Sequence, residues 1–336
     1  MIKEAIEKTI TSHPFSESEM AEVMEEIMEG KATPAQISAL LTGLRIKGET
    51  IAELTGAARV MRRHAVFIDA ASNNILDTCG TGGDKSNTFN ISTTVALVAA
   101  GGGLTVAKHG NRSVSSKCGS ADLLEELGVN IQADPEVVEQ CIREIGIGFL
   151  FAPRLHGAMK QAGEVRREIG ISTIFNMLGP LTNPAGATCQ VLGVYASELT
   201  EMFANVLKNL GAKKALVVHG ADGLDEITLC AETRVTELSA GQIKTYNLNP
   251  RTFFDKTYTP EDVRGGDRKV NARITRAILA GDKGAPRDIV LINAAAALLV
   301  GGTVSNFTEG IKLAEEIIDT GRAGKKLQEL VELSNS

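Results

Sequence analysis

Ile75-Leu76-Asp77-Thr78-Cys79-Gly80-Thr81-Gly82-Gly83-Asp84, with Asn90-Ile91-Ser92-Thr93-Thr94 close behind it, is the stretch on which the fold turns. Residues 75–78 read as a strand, the glycines interrupt it, and 91–100 form a helical apolar run. Strand-like 104–107 follows. Strand, glycine loop, helix and strand in that order open a β-α-β alternation, the pattern of a mostly parallel sheet with helices on its faces.

Downstream, 121–127 reads as helix, 191–195 as strand, 199–210 as helix and 214–219 as strand, before three C-terminal helical stretches. Upstream the pattern changes. Over 16–63 apolar residues such as Met20, Val23, Met24 and Ile27 recur at helical spacing, Gly30 ends one segment and Thr33-Pro34 starts the next. The expected fold is therefore α/β, with a small N-terminal α-helical domain ahead of a larger α/β domain. The polar break Ser72-Asn73-Asn74 divides the chain into 1–72 and 73–336. Two segments of mixed character within 164–184 fit either side, and part of them is expected to join the helical domain.

The glycine loop leads into a helix whose first residues carry the amide and hydroxyl groups of an N-terminus. Glycines let backbone N–H groups approach an anion and the helix dipole attracts negative charge, so a polyphosphate fits here. An ordinary strand-to-helix turn would use the same glycines. Lys85 stands at the last position of G-x-G-x-x-G and no G-x-x-x-x-G-K-[ST] occurs, so neither the dinucleotide nor the P-loop pattern is met.

Two further loops follow strands, and in such folds the loops at the carboxyl ends of strands meet at one edge. The first is Lys108-His109-Gly110-Asn111-Arg112-Ser113-Val114-Ser115-Ser116-Lys117, with Ser120 opening the next helix. Its cations and small hydroxyls suit several phosphate oxygens, against the plainer alternative of a solvated basic loop. The second is Gly220-Ala221-Asp222-Gly223-Leu224-Asp225-Glu226. Adjacent carboxylates suit Mg²⁺, which completes its shell with water and substrate phosphate; a solvated acidic pair is the alternative. His219, closing an apolar strand, reads as a satisfied core histidine, and the five histidines are too dispersed for a zinc site.

Composition excludes several classes. The 35 basic and 41 acidic side chains leave a formal charge of -6, so nothing attracts nucleic acid or anionic lipid in general and any phosphate site must be local. Aromatics at 4% and no tryptophan argue against a base-stacking surface. The longest apolar stretch, 289–300 around Asn293, is about half of the roughly 20 residues that span a bilayer and reads as a buried helix. The five cysteines include no C-x-x-C pair, which points to neither a disulfide framework nor a zinc knuckle. With no secretory pattern at the N-terminus, the expected location is the cytoplasm.

Together, Gly80-Thr81-Gly82-Gly83-Asp84, Asn90-Ile91-Ser92-Thr93, Lys108-His109-Gly110-Asn111-Arg112, Gly179-Pro180-Leu181-Thr182-Asn183-Pro184 and Asp225-Glu226 resemble, in order and spacing, the anthranilate phosphoribosyltransferases. These tryptophan-pathway enzymes use Mg²⁺ and phosphoribosyl pyrophosphate (PRPP) to ribosylate the amine of anthranilate. The resemblance runs from the helical N-terminus to the final helices, and the K-H-G-N-R loop is its most specific element. It implies the nucleoside phosphorylase/phosphoribosyltransferase fold, an active site in the cleft between domains, a homodimer joined through the helical domains, and two magnesium ions per monomer.

By similarity, PRPP would be held by Gly80, Gly83, Asp84 and Thr88, and by Asn90, Ile91, Ser92 and Thr93 at the helix start. The basic loop would add Lys108, His109, Gly110, Asn111, Arg112, Ser113, Val114, Ser115 and Ser116, with Ser120 beyond it. Ser92, Asp225 and Glu226 would lie on magnesium, and Gly80, Asn111 and Arg166 would hold anthranilate. Periodicity alone would leave Arg166 and Arg167 as exposed charges, but a guanidinium can pair bidentately with the anthranilate carboxylate. Two positions depart from the family pattern: Gly157 stands where a proline usually follows the histidine, and Ser172 where arginine is frequent. Both bear on the outer anthranilate channel. The implied reaction needs no protein nucleophile, since the amine displaces pyrophosphate and catalysis rests on electrostatics and proximity. A pyrimidine nucleoside phosphorylase shares the architecture but lacks the K-H-G-N-R loop. A nucleic-acid-binding relative would carry a broad basic face and would have lost Asn111 and Arg166.

Overall fold

The computed structural model describes every residue except 85 and 114–116, and every side chain among them except those of residues 160 and 161. Four helices come first: α1 (Ile2–Ile10), α2 (Glu17–Met28), α3 (Pro34–Lys47) and α4 (Ile51–His64). Ser16, Thr33 and Thr50 start the last three. Each hydroxyl accepts the N–H three residues on, and Glu19, Gln36 and Glu53 return the bond, so six otherwise unpaired donors are satisfied at the helix starts. The periodic residues Met20, Val23, Met24 and Ile27 are all buried, as their spacing requires. Helix α1 is an addition to the sequence reading, which began the helical region at residue 16.

The α/β part begins with β1 (Ile75–Gly80), α5 (Ile91–Gly101), β2 (Thr105–Gly110), α6 (Ser120–Leu127), α7 (Pro135–Ile145), β3 (Ile147–Phe151) and the short α8 (Ala152–Leu155). Helices α9 (Lys160–Ile169) and α10 (Ile174–Leu178) interrupt the sheet, which resumes with β4 (Cys189–Gly193), α11 (Leu199–Asn209), β5 (Lys214–Gly220), β6 (Thr233–Ser239) and β7 (Gln242–Leu248). Helices α12 (Arg268–Leu279), α13 (Ala285–Gly301), α14 (Phe307–Asp319) and α15 (Arg322–Ser334) complete the chain.

The seven strands lie in the order β3-β2-β1-β4-β5-β6-β7. The first five are parallel, and β6 and β7 add an antiparallel edge. From β1 the chain builds outward to β2 and β3, then returns to lay β4 and β5 on the other side. Strand order therefore reverses between β1 and β4, the position at which open α/β sheets bind ligands beyond the strand carboxyl ends. Parallel strands buried on both faces read as unbroken apolar runs: along β5, Leu216 and Val218 join one core, while Ala215 and Val217 join the other.

The first core lies under α5 and α13; the second is shared by α11, α1 to α4, and α9 and α10. The mixed segments of 164–184 thus pack their apolar residues, Val165, Ile174, Phe175, Met177 and Leu178, with the N-terminal helices. Helix α13 is the buried helix expected at 289–300. Several strand limits move from the sequence reading: β1 runs on to Gly80, β2 starts at Thr105, β4 starts at Cys189 and β5 ends at Gly220. Strand β2 continues to Gly110 because parallel pairing with β3 holds Lys108, His109 and Gly110 in the ladder, and β4 ends at Gly193, two residues short of the expected 195.

Candidate active site

Three loops gather at the switch point. The glycine loop leaves β1 at Gly80, where a Cβ would come 2.6 Å from Asp225 Oδ2, so only glycine lets that carboxylate settle over the strand end. Gly82 and Gly83 have φ values of 63° and 84°, the left-handed region that glycine enters without strain. The turn is closed by the Thr81 N–H donating to the Gly193 carbonyl at 2.9 Å and the Tyr195 N–H to Thr81 Oγ1 at 3.2 Å.

The carboxylates from the β5 loop occupy the amides that a phosphate would seek. Gly82 N–H donates to Asp225 Oδ2 at 3.0 Å, and Ser92 N–H, in the first turn of α5, donates to Glu226 Oε1 at 3.1 Å. Asn293, on α13, fixes the residue that follows: its side chain accepts the Ile227 N–H and donates to the Ile227 carbonyl, both at 2.9 Å. Burial, with Asp84 beside it, pushes Asp225 up to about 7, and burial with Asp225 beside it pushes Glu226 up to about 8. Crowded acids with raised pKa values are stabilised in their charged form by a bound cation. Among the described residues no three His, Cys, Asp or Glu form a ready metal cage. Two carboxylates that leave coordination positions to water and substrate fit Mg²⁺, whereas a closed nitrogen and sulfur set would fit zinc.

The approach of this loop is tight. A Cβ at Gly193, on β4, would lie 1.5 Å from the Asp225 carbonyl oxygen, a backbone atom that can yield only by moving the acidic loop. Gly193→Ala is accordingly expected to destabilise the protein by about 1–3 kcal/mol through overpacking and to blunt its response to Mg²⁺. Thermal unfolding with and without Mg²⁺ and PRPP checks both effects.

The basic stretch is divided by its strand. Lys108 is buried and its ammonium donates to the Thr78 carbonyl beneath the glycine loop, close enough to Asp77 and Glu226 to favour their charged forms. His109 is buried against His156, the ring centroids 5.2 Å apart and tilted by 52°. Burial, with His156 and Lys108 nearby, pushes His109 down to about 3, and burial pushes His156 to about 4. Both rings are neutral at physiological pH. Gly110 packs under Ser120, whose hydroxyl both accepts the Asn111 N–H and donates to the Asn111 carbonyl at 3.2 Å. Arg112 leans onto α6, its guanidinium bonded to Asp122 at 2.9 Å and to Glu125 at 2.8 Å, while Asp122 also accepts the N–H groups of Ser113 and Gly119.

Asn90, the N-cap position of α5, spends its side chain on structure: it donates to the Cys118 carbonyl at 3.0 Å and accepts from Asn271 at 2.9 Å. Ile91 and Thr93 are buried, and Thr88 forms an isolated bridge with Arg264. Gly83, Asp84 and Ser92 thus lie with Gly80, Asp225 and Glu226 at the mouth of β1. Val114, Ser115 and Ser116 lie outside the described residues.

Arg166 sits on α9, half-buried where Arg167 is exposed. Its guanidinium lies 5.4 Å from the Phe175 ring centroid and 3.4 Å from Asn176 Oδ1, both on α10, and burial lowers its pKa. The tail of α10 runs into Gly179, whose backbone lies near the His109 ring, so Arg166 belongs to the segment that abuts the basic strand end. His219 differs from the expectation of a core histidine. It is half-buried, its Nδ1 lies 2.8 Å from the Val194 carbonyl, and it lines a polar surface pocket with Glu232, Arg234 and Asn247. Strand β5 reaches its carboxyl end at this point, so its last side chain emerges. Sequence reasoning assigned no role to Asp77 or to the side chains of Asn183 and Asn293, each of which has a partner far away in the chain.

The layout is that of a glycosyl-transfer site, and comparison with known proteins agrees. Residues 72–324 match the a/b domain of the glycosyl transferase family, and residues 3–65 match its helical bundle domain. A protein of Syntrophobacter fumaroxidans named anthranilate phosphoribosyltransferase is 59% identical over 100% of this chain and 99% of its own. The crystal structure of the Thermus thermophilus enzyme of that name superposes with a TM-score of 0.93 at 42% identity, covering 99% of both chains. The Saccharomyces cerevisiae enzyme in complex with PRPP and Mg gives a TM-score of 0.91 at 29% identity, over 99% of this chain and 98% of that one. The chain therefore belongs to the glycosyl transferase family that joins a helical bundle to an a/b domain, and within it to the anthranilate phosphoribosyltransferases.

Proposed function

We infer that this chain transfers the phosphoribosyl group of PRPP to the amine of anthranilate, giving N-(5-phosphoribosyl)anthranilate and pyrophosphate, in tryptophan biosynthesis. The observation that carries this reading is the meeting of Asp225 and Glu226 with the glycine-loop amides and the start of α5 at the switch point. An anion-binding backbone and a cation-binding acid pair in one place suit a substrate that is a metal-bound polyphosphate.

In this reading Gly80, Gly83, Asp84, Thr88, residues 90–93, residues 108–116 and Ser120 hold PRPP, while Gly80, Asn111 and Arg166 hold anthranilate. Ser92, Asp225 and Glu226 hold the metal, with two ions per monomer. When bound, magnesium neutralises charge that grows on the departing pyrophosphate. The protein's part is placement. The neutral amine, fixed by its carboxylate on Arg166, attacks the anomeric carbon as the C–O bond to pyrophosphate breaks, the bonding pair leaves with that oxygen, and the amine then loses a proton to solvent. Backbone amides of the glycine loop and Lys108 stabilise the anionic side. The same reading places the division between domains at residues 72 and 73, gives part of 164–184 to the helical domain, and has the enzyme working in the cytoplasm as a homodimer joined through its helical domains.

Product analysis tests the function: one pyrophosphate released for each anthranilate consumed supports it. Release of free base from a pyrimidine nucleoside and phosphate, with no use of anthranilate, would replace it.

The raised acids also predict a pH dependence. In the metal-free protein the folded state binds protons that the unfolded state has released, so the pair's contribution to stability falls as pH rises toward about 7 to 8. Metal binds the charged carboxylates, so its affinity is full above those values and falls as pH drops through them. The rise in Tm on adding Mg²⁺ is thus expected to be larger at about pH 8.5 than at about pH 6, with differential scanning calorimetry as the check.

A further inference from the structure

Asp77 is wholly buried in the middle of β1 and belongs to none of the substrate contacts above. Its Oδ1 accepts the backbone N–H of His109 at 3.1 Å, and its Oδ2 accepts the side-chain amide of Asn183 at 2.8 Å. Asn183 is equally enclosed. The same amide nitrogen donates a second proton to the Ala107 carbonyl at 2.8 Å, and its oxygen accepts the Ala185 N–H at 2.9 Å. One side chain therefore ties the segment ahead of β4 to both β1 and β2.

That segment is anchored from the other direction too. Gln190 donates to the Pro180 carbonyl at 2.6 Å, and Arg62, on α4, donates to the Leu181 carbonyl at 2.7 Å. Residues 180–183 thus form a strap from the N-terminal helices to the two strands that carry the glycine and basic loops. A buried carboxylate is costly unless its charge and lone pairs are met. Burial raises the Asp77 pKa, and Lys108, the Asn183 amide and the His109 N–H work against that rise, each from a fixed position.

We propose that Asp77 and Asn183 are positioning residues for the transfer reaction: they lock the backbone at His109, and with it the Lys108–Arg112 strand end, in register with the strap leading from the helical domain. This rests on the phosphoribosyl-transfer reading. Turnover by the wild-type protein tests that reading, whereas only the ratio of variant to wild type tests this one.

Asp77→Asn keeps an acceptor for the His109 N–H but turns an amide NH2 toward the amide NH2 of Asn183 and removes one of the two carboxylates, Asp77 and Glu226, that lie near Lys108. The expected result is a KM for PRPP raised about tenfold and a lowered kcat, with a smaller rise in the KM for anthranilate, whose carboxylate partner Arg166 lies outside the lock. Leu40→Ala, a cavity in the helical core that removes none of the strap's hydrogen bonds, is expected to lower Tm while leaving both KM values alone. Asn183→Ser removes the two donated bonds without altering charge and is expected to move the PRPP KM in the same direction; it decides the matter at low temperature if Asp77→Asn does not fold. Folded variants that lose Tm but keep wild-type PRPP KM and kcat would overturn the proposal, because a purely structural pair would behave like Leu40.

Discussion

Asp225→Asn and Glu226→Gln are each expected to lower kcat/KM by roughly a hundredfold or more, the scale on which single groups that stabilise developing charge contribute. Both substitutions preserve size and keep an oxygen able to accept the N–H of Gly82 or Ser92, so the loop keeps its bonds and only charge is lost. The deficit should therefore appear in the Mg²⁺ and PRPP dependence and leave Tm of the metal-free protein unchanged or raised, since each acid is held there above its ordinary pKa. Steady-state kinetics over a Mg²⁺ titration is the check. Activity that survives in both variants would remove the acid pair from the reaction.

Arg166→Ala should act on the other substrate. A charged hydrogen bond to a carboxylate contributes about 2–3 kcal/mol, or roughly 30- to 150-fold in the KM for anthranilate, while the KM for PRPP moves little. The guanidinium is already laid along Phe175 and beside Asn176, so little side-chain freedom remains to be lost when a carboxylate arrives. Arg166→Lys should recover only part of the loss, because an ammonium cannot pair with both carboxylate oxygens in one plane. Equal effects on both substrates would place Arg166 in the scaffold instead.

What could be read from the sequence is what is local in it. The glycine loop, the helix that starts at Asn90, the basic stretch and the acidic pair each declare their chemistry within a few residues, and the β-α-β order brings them to one edge. Arg166 could not be read that way. It stands in a charge-dense stretch with Glu164, Arg167 and Glu168, and its half-burial depends on α10 folding back beside it, so it entered only through family resemblance.

The roles of Lys108 and Arg112 were also out of reach. Both read as loop cations, yet parallel pairing with β3 keeps Lys108 inside the sheet, and Asp122 and Glu125 draw Arg112 onto α6. The same holds for Asp77 with Asn183 and for Asn293 with Ile227, where single polar residues in apolar runs find partners that only the tertiary fold supplies. The β6–β7 hairpin did leave a sign, Ala240-Gly241 between alternating segments, with φ values of 48° and 73° in the tight turn. Helix α1 was missed because its charges alternate with small apolar groups, and its buried stripe of Ile2, Ala5 and Thr9 is narrow.

The most direct test of the account is to mix the protein with PRPP, Mg²⁺ and anthranilate and follow anthranilate fluorescence. The predicted result is a loss of signal that requires all three and stops when a chelator removes the metal. Folded protein that binds PRPP and Mg²⁺ yet leaves the fluorescence unchanged would contradict it.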